Sequence, residues 1–477
     1  MPVNREPTLG ITVMPEWFQY EGIEPVLDRV AALGATAIAT SPYVLEPAPD
    51  GTGAREPPPD GEAGLIRPLD RELFGRRELW VRTAPAFVHE DERYASLRYR
   101  PMPASALTHA NYSLLDRVIE AANDRGIDVL LQVMAACPPG YRVQFSGLAD
   151  DDRCLGPDGR PHDARVDRNG SLASPHIVAY VATLVGELAQ RFPGVAGFRL
   201  DWPEVPPYDF ASALFDFHPA MTALMRAAGH DPRAVARAVA GWADGLRAAA
   251  SGAASRGPVA VHAALLAADW PAFVSDDGCY APLRAAKREA SLRLLRAVRD
   301  ALDALPGPRR RLEPQAFPPP FHRLSGFPLD GLDAVADAIG IKLYTMHWPM
   351  LARYWARDLV GDAPPAEQNA VTAAVAALFG LTDGVVTDGS VLRYPEPDEP
   401  HPVGARSQRT KIEVAIAAAG RVPVVPFVHA YGPIGDVESR WRIASGGATS
   451  TWINRYGYLS DAKLDAIARA RREGASA

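Results

Sequence analysis

Residues 174–204 read SPHIVAYVATLVGELAQRFPGVAGFRLDWPE, and this stretch holds a helical pattern followed by a strand pattern. Ser174 is a typical N-cap and Pro175 suits the first helical position, so a helix is predicted over 174–192. The apolar run that follows predicts a buried strand over 195–202. A helix that leads directly into a buried strand is typical of proteins built on a parallel sheet.

The same alternation of short apolar runs and longer helical patterns recurs along the chain. Strands are predicted over residues 9–17, 35–42, 127–135, 195–202, 310–317, 341–348, 422–432 and 448–457. Helices are predicted over residues 23–34, 110–126, 174–192, 329–340, 407–420 and 459–472. The run 259–267 is an alternative to 310–317 for the fifth strand. Eight such units favour an α/β fold, a closed (β/α)8 TIM barrel, and the lack of GxGxxG after any predicted strand argues against a dinucleotide-binding sheet.

Four long segments separate these units unevenly. They span residues 43–109, 136–173, 205–305 and 353–406. Each follows a predicted strand, so each is expected to be an insertion or extended loop on the carboxyl face of a single barrel domain covering 1–477. Long loops gathered on one rim of a barrel build a pocket.

The overall composition limits the partners and the location expected for this chain. A formal net charge of −7 and a pI near 5.9 argue against a nucleic-acid partner or an anionic membrane surface. The three cysteines include no CxxC pair, which argues against a disulfide framework and a thiolate zinc site. The first residues lack the apolar segment of a secretory signal, and no apolar run is long enough to span a membrane, so a cytoplasmic protein is expected. The sequence does not indicate the oligomeric state.

Aromatic and polar residues recur where the predicted strands end. They are Glu16, Trp17, Trp202, Tyr208, Tyr344, His347, Trp348, His429, Trp452 and Asn454. Flat aromatic faces pack against the C–H faces of sugar rings, while carboxylates and amides bind hydroxyl groups, and ligand pockets combine apolar walls with a few placed polar groups. A carbohydrate substrate is therefore expected at this rim, although any one of these aromatic residues also fits packing at the top of a barrel.

Arg199 and Asp201 are two residues apart and therefore share a face of their strand. They are expected to point into the barrel mouth, where barrel enzymes place their catalytic groups. Cleavage of a glycosidic bond needs two carboxyls, one to protonate the leaving oxygen and one to attack or to activate water. Asp201 is the candidate nucleophile or charge stabiliser, with Arg199 keeping it ionised. Glu204 is the candidate acid, since Trp202 and Pro203 can desolvate its carboxyl and raise its pKa.

Other interpretations of the strand ends stay open. Lys342 is either a Schiff-base former, as in a lyase or aldolase, or an anchor for a carboxylate such as that of Asp201. The lack of HxH and HExxH sequences argues against a metal-dependent hydrolase, so neither a metal nor a cofactor is expected. A metal site formed by Asp201 with His347 and His429 is a remaining alternative.

The second carboxyl also has alternatives. Glu16 and Glu313 are reserve candidates for the acid, and Glu313 lies early on its predicted strand. Arg199 and Asp201 are otherwise a structural pair within the barrel. In that case the chain is a barrel that binds carbohydrate, or a protein partner, without catalysis.

Two stretches resemble a known group of proteins. The segment SLASPHIVAYVATLVGELAQRFPGVAGFRLDWPE resembles the third-helix and fourth-strand region of bacterial glycoside-hydrolase barrels. Its GFRLD portion is similar to the fourth-strand motif of α-amylase-type enzymes, a resemblance that makes Arg199 and Asp201 the counterparts of their arginine and nucleophilic aspartate. The stretch QAFPPPFHRLSGFPLDGLDAVADAIGIKLYTMHW is similar to the fifth- and sixth-strand region of the same barrels. The resemblance implies a bacterial glycoside-hydrolase barrel, and the leading interpretation of the sequence is an enzyme that acts on a small oligosaccharide or glycoside.

The chain departs from these families at three strand ends. Strand three ends MAACPP, where the α-amylase type has Asn-His, and strand seven ends FVHAYG, with His429 but without the following Asp. Retaining barrels with two glutamates carry one of them on strand seven, which this chain lacks. Their acid closes strand four, and Glu204 lies only near that position. The resemblance therefore supports the fold and the broad class and leaves the acid unassigned.

Overall fold

Eight parallel strands close into a barrel in a computed structural model that describes residues 8–59, 67–142, 147–162, 169–384 and 386–475. In chain order the strands are β1 (Leu9–Thr12), β2 (Ala37–Thr40), β3 (Tyr43–Pro47), β4 (Ala54–Glu56), β5 (Leu79–Pro85), β6 (Asp128–Met134), β7 (Gly197–Asp201), β8 (Arg311–Ala316), β9 (Ile339–Leu343), β10 (Val424–His429) and β11 (Thr451–Asn454). The ring follows the order β1-β11-β10-β9-β8-β7-β6-β2, and β3, β5 and β4 form a separate antiparallel sheet. The predicted TIM-barrel fold is confirmed, and each of the eight predicted strands overlaps one strand of the ring.

Helices surround the ring and fill the long insertions. They are α1 (Pro15–Tyr20), α2 (Ile23–Ala32), α3 (Asp91–Tyr94), α4 (Ala106–Ala110), α5 (Leu114–Asp124), α6 (Pro175–Arg191), α7 (Phe210–Ala213), α8 (Pro219–Ala227), α9 (Pro232–Ala253), α10 (Pro258–Ala267), α11 (Ala281–Asp303), α12 (Phe321–Ser325), α13 (His347–Val360), α14 (Pro365–Leu378), α15 (Ala405–Ala419), α16 (Ile434–Gly447) and α17 (Asp461–Ala475). The alternative fifth strand at 259–267 is wrong, because those residues lie in α10.

The helix predicted over 329–340 is also wrong. Residues 329–338 form bends and turns, and β9 begins at Ile339. Gly331 has a φ of +74°, in the left-handed region that a continuous helix does not use. The buried leucines that produced the helical spacing, Leu329 and Leu332, are covered without a regular helix.

The unit formed by α6 and β7 follows the sequence signals closely. The Ser174 side-chain oxygen accepts hydrogen bonds from the backbone N–H groups of His176 at 3.2 Å and Ile177 at 3.4 Å, which caps α6. In β7, Arg199 lies opposite Gln132 of β6 and Glu313 of β8. This register sets the neighbours of every side chain that β7 sends into the barrel.

The barrel interior has a small core of its own, distinct from the larger core around it. Its buried members are Ala37, Ala39, Leu130, Ala338, Val425, Phe427 and Trp452. The large rings of Trp452 and Phe427 fit because glycines face them: a Cβ built on Gly10 would lie 2.2 Å from the Trp452 ring, and one on Gly340 would lie 2.4 Å from the Phe427 ring. Small residues on some strands thus make room for large ones on others.

The insertions after the strands carry much of the remaining structure. The small sheet lies within the 43–109 segment, and α7 to α11 lie within 205–305. In the described part of the chain, no helix is long and apolar enough to cross a membrane.

Candidate active site

One arginine and two aromatic rings fill the centre of the barrel. The guanidinium carbon of Arg199 lies 3.4 Å from the centre of the Trp452 ring and 4.5 Å from that of Phe427. The two rings are nearly parallel, with their centres 6.0 Å apart. Arg199 Nη1 also donates a hydrogen bond of 3.0 Å to the Thr12 hydroxyl. Because the Arg199 side chain is fully buried, burial lowers its pKa to about 9.

Asp201 lies one layer above Arg199, at the end of β7. Its side chain is 16% exposed, and one carboxylate oxygen forms an ion pair with Nζ of Lys342 on β9. The other oxygen accepts a hydrogen bond of 3.3 Å from the Gln132 side chain. The ion-pair partner of Asp201 is thus Lys342 rather than Arg199, as the anchoring alternative for Lys342 anticipated. The Lys342 ammonium also lies 5.0 Å from the centre of the Trp202 ring.

Glu204 follows three residues after Asp201 but has a different environment. Its carboxyl is fully buried, and its oxygens accept hydrogen bonds from the Phe317 backbone N–H at 2.8 Å and the Ser325 hydroxyl at 2.5 Å. Burial raises the pKa of Glu204 to about 7, although the positive charge of Lys342 and both hydrogen bonds oppose this. Glu204 therefore ties the loop after β7 to the loop after β8.

Six rings pack against one another at the carboxyl ends of β7 to β10, on the side of the barrel mouth where Asp201 lies. This aromatic wall consists of Trp202, Tyr208, Phe317, Tyr344, His347 and His429. Neighbouring rings meet edge to face, with centres 5.8 Å apart for Trp202 and Tyr208 and 5.3 Å apart for Tyr344 and His429. Tyr344 and His347 are partly exposed, and His347 begins α13 just after β9. Most of the predicted rim residues therefore do lie together.

Three of the predicted aromatic residues are buried elsewhere. Trp17 lies in α1, fully buried, with its ring 5.6 Å from that of Tyr456. Trp348 is 2% exposed and packs over the ammonium of Lys411. Trp452 is 1% exposed and lies beneath the rim against Arg199. The strand-end pattern predicted that these residues lie near the barrel mouth, but it did not indicate how deeply they are buried.

The two reserve carboxyls are also buried. Glu313 is 7% exposed and lies at the level of Arg199, one layer below Asp201. Glu16 lies in α1, and its carboxyl is fully buried, accepting a hydrogen bond of 2.9 Å from the Tyr43 hydroxyl. Asn454, in contrast, is partly exposed at the end of β11, opposite His429 of β10.

Glu16 belongs to a group of four charges that we call the buried quartet: Glu16, Glu56, Arg142 and Arg455. Arg142 lies 2.6 Å from Glu56 and 3.6 Å from Glu16, while Arg455 contacts Glu56 directly and lies 3.8 Å from Glu16. Burial and the charge of Glu56 raise the pKa of Glu16 above its ordinary value. Burial would also raise the pKa of Glu56, but both arginines outweigh it and lower that pKa.

The sequence pattern missed three members of the buried quartet. Glu56 and Arg142 come from insertions, whose path the strand-helix pattern does not determine. Arg455 directly follows Asn454 and lies within the strand predicted over 448–457, but the search for aromatic and carboxylate residues at strand ends passed over it.

His429 has a fixed hydrogen-bonding state. Its Nδ1 accepts a hydrogen bond of 3.1 Å from the Tyr431 backbone N–H, so in the neutral ring the proton is on Nε2. Burial and the nearby cations and histidines lower the pKa of His429 well below its ordinary value. The guanidinium of Arg440, from α16, donates to the backbone oxygens of His429 and Tyr431 and holds this turn in place. His429 thus presents a neutral ring to the barrel mouth.

The described residues include no group of three or more His, Cys, Asp or Glu side chains arranged to hold a metal ion. Asp201 instead has an ammonium group as its nearest partner.

Comparison with solved structures shows which proteins share this fold. A β-galactosidase from the psychrophilic Marinomonas ef1 superposes with a TM-score of 0.51 at 12% sequence identity, over 98% of this chain and 59% of that one. The present chain therefore spans about three fifths of the length of that β-galactosidase. The catalytic domain of a β-amylase from Paenibacillus polymyxa gives a TM-score of 0.49 at 10% identity, over 98% of both chains. No protein-family model and no curated protein sequence matches the chain. At 12% identity, the likeness to the β-galactosidase shows the barrel fold.

Proposed function

We propose that this chain is a glycoside hydrolase that cleaves a small oligosaccharide or glycoside at the barrel mouth. The observation that carries the proposal is the setting of Asp201, a partly exposed carboxylate held by Lys342 and Gln132 beside the aromatic wall. A fixed carboxylate attacks or stabilises the sugar carbon, while rings beside it bind the sugar faces. The Marinomonas protein that shares the fold is a β-galactosidase, which is consistent with a carbohydrate substrate.

The different surroundings of the Asp201 and Glu204 carboxyls support the same proposal. Asp201 lies in an ion pair with Lys342, whereas burial raises the pKa of Glu204 to about 7, so the Glu204 carboxyl can hold a proton near neutral pH. Such a difference is what an acid and a nucleophile require. Because Glu204 is fully buried, the mechanism requires the turn over residues 202–204 to open toward Asp201 when substrate binds. Trp202, in this turn, has a φ of +52°.

Arg199 has a supporting part in this proposal. It lies beneath Asp201, out of reach of a bound sugar, and its positive charge attracts the carboxylate above it. The neutral Nε2–H of His429, the Tyr344 hydroxyl and the Asn454 amide provide hydrogen-bonding groups for sugar hydroxyls.

The test is turnover of a panel of 4-nitrophenyl glycosides by the wild type and by Asp201→Asn. We expect the variant to lose turnover, and Asp201→Gly to regain part of it in sodium azide, because azide replaces the missing nucleophile. Asp244→Asn is the matched control, since its side chain is 76% exposed in α9. The assays need a temperature well below the melting point, because either Asp201 variant leaves the buried Lys342 without its partner. Undiminished turnover in Asp201→Asn would remove Asp201 from the mechanism.

The role of Glu204 has a separate test. We expect Glu204→Gln to lose turnover of glycosides with poor leaving groups and to retain it for 2,4-dinitrophenyl glycosides, which need no protonation. Equal losses for both classes of substrate would assign the acid to another group.

A second candidate function is carbohydrate binding without cleavage. It is favoured by the burial of Glu204, Glu16 and Glu313, which leaves Asp201 as the accessible member of the predicted set of carboxyls. Saturable binding of oligosaccharides by calorimetry, with no turnover of any glycoside in the panel, would support this function over hydrolysis.

The Schiff-base alternative has less support from the geometry. The Lys342 ammonium is in an ion pair with Asp201, and an ammonium has no lone pair to attack a carbonyl. Borohydride trapping with a keto sugar would label Lys342 if this alternative held.

A further inference from the structure

A second cluster of charges lies between α11 and α12. We call it the α11–α12 pocket, a cavity of about 380 Å³ whose charged and polar lining is Asp276, Arg284, Arg288, His322, Arg323 and Asp330. This volume accommodates a small anion together with part of an organic group attached to it.

The pocket has more positive than negative charge. Arg284 lies 3.0 Å from one carboxylate oxygen of Asp276, and Arg323 contacts the same oxygen. The Asp276 side chain is 86% exposed, so this shared carboxylate is mostly in solvent. Arg288 binds both oxygens of Asp330, at 2.6 Å and 3.0 Å. Three guanidinium groups thus face two carboxylates, and one carboxylate serves two of them.

Two buried nitrogens in the pocket have no hydrogen-bond partner among the described residues. They are Nδ1 of His322 and Nε of Arg323. Burial and then the charge of Arg323 lower the pKa of His322 to about 3, so its ring is neutral. A guanidinium carries five N–H donors in a fixed fork, so Arg323 keeps donors beyond its contact with Asp276. Folded proteins usually satisfy their buried polar groups, so these two side chains have unused hydrogen-bonding capacity at the pocket.

We propose that the α11–α12 pocket is a binding site for a phosphate group, either inorganic phosphate or the phosphate of a small ester. The planar forks of arginine side chains match the geometry of phosphate oxygens, and several arginines around one cavity are typical of such sites. The excess charge attracts a dianion, and His322 and Arg323, the two side chains that carry an unpartnered nitrogen, both line the pocket. This site is independent of the proposed hydrolase activity.

The experiment is calorimetric titration of the full chain with sodium phosphate at constant ionic strength, with sodium chloride as the reference salt. We expect saturable binding of phosphate but not of chloride. We expect Arg323→Gln to weaken binding at least about tenfold, and Arg323→Lys to weaken it less, because a lysine keeps the charge and loses the fork. Arg293→Gln is the matched control, since Arg293 lies on the same helix but is 57% exposed and pairs with Glu289.

A second titrant distinguishes the two sources of the phosphate group. Glucose 6-phosphate should compete with inorganic phosphate if the pocket recognises the phosphate group. Whichever of the two has the lower dissociation constant shows whether the pocket is built for free phosphate or for a phosphate ester. Absence of saturable phosphate binding would overturn the proposal. So would phosphate binding of unchanged strength in an Arg323→Gln protein that melts like the wild type.

Discussion

Asp201 is the last residue of one barrel strand and Glu16 lies shortly after another, yet the surroundings of these two acidic residues are opposite. The Asp201 side chain is 16% exposed, beside the aromatic wall that β7 to β10 and their loops supply. Glu16 is fully buried in the quartet, whose members come from the end of β4 and from the segments after β1, β6 and β11. One half of the mouth thus holds a partly exposed charge, whereas the other half uses buried charge to join insertions to the barrel. Acidic residues at a barrel rim therefore need their exposure, as well as their position, before a role is assigned.

The largest expected loss of stability should come from removing one carboxylate of the buried quartet. Glu56→Gln leaves two buried arginines facing the single carboxyl of Glu16, so the free energy of unfolding should fall by about 3 to 5 kcal/mol. Chemical denaturation measures this change. Glu78→Gln is the control, since Glu78 is 50% exposed in its pair with Arg55 and should change stability by less than about 1 kcal/mol. If both variants were equally stable, the quartet would not join the insertions to the barrel.

A pH effect of Glu204 should be somewhat smaller. Burial raises its pKa from 4.5 to about 7, so the folded state keeps a proton that the unfolded chain releases. The free energy of unfolding should therefore fall as pH rises from about 4.5 to about 7 and then level off, by about 3 kcal/mol at most. Denaturation at pH 5 and pH 8 should show the free energy of unfolding of the wild type falling relative to that of Glu204→Gln, because the other titrating groups affect both proteins alike. Parallel pH profiles would show that Glu204 is not buried as an acid.

The next largest change in stability should come from the core inside the barrel, which lies beneath both halves of the mouth. A Cβ at Gly10 would lie 2.2 Å from the Trp452 ring, so Gly10→Ala should lower the free energy of unfolding by about 1 to 3 kcal/mol. Gly241→Ala is the opposite control, since Gly241 lies in α9 and a Cβ added there would have nothing within 4 Å. An alanine at that position should raise stability by about 0.5 to 1 kcal/mol. If Gly10→Ala left the free energy of unfolding unchanged, the Trp452 ring would be free to move aside. The core inside the barrel would then not be rigidly packed.

The smallest effect should come from the open half. Gln132 is partly exposed, and its hydrogen bond to Asp201 is 3.3 Å long. Gln132→Ala should therefore change the free energy of unfolding by less than about 1.5 kcal/mol while weakening turnover. Melting curves and glycoside assays measure the two quantities. A loss of stability as large as that of Glu56→Gln would remove the contrast between the halves.

The barrel could be predicted because its signals are local. Each barrel strand is a short apolar run, and the N-cap at Ser174 and the strand end at Asp201 can be read from neighbouring residues. The parallel strands then bring Asp201, Tyr344 and His429 to one rim without any knowledge of the loops. Residues 329–338 misled the pattern because buried leucines at helical spacing also occur in turns.

Depth and distant contacts could not be predicted. Trp452 and Asn454 share a face of β11, but two residues along a strand correspond to about 7 Å, so one lies within the barrel and the other at its mouth. Glu56 and Arg142 meet because two insertions fold over the same part of the rim, and no short sequence pattern encodes that contact.

The pairing of β1 with β11 has a consequence for how the molecule is made. The first and last strands of the ring are neighbours, so the ring closes only after residue 454 has left the ribosome. Until then, β1 and β10 each have an unpaired edge that other nascent chains can bind. During synthesis the growing polypeptide is therefore expected to rely on chaperones that cover these edges.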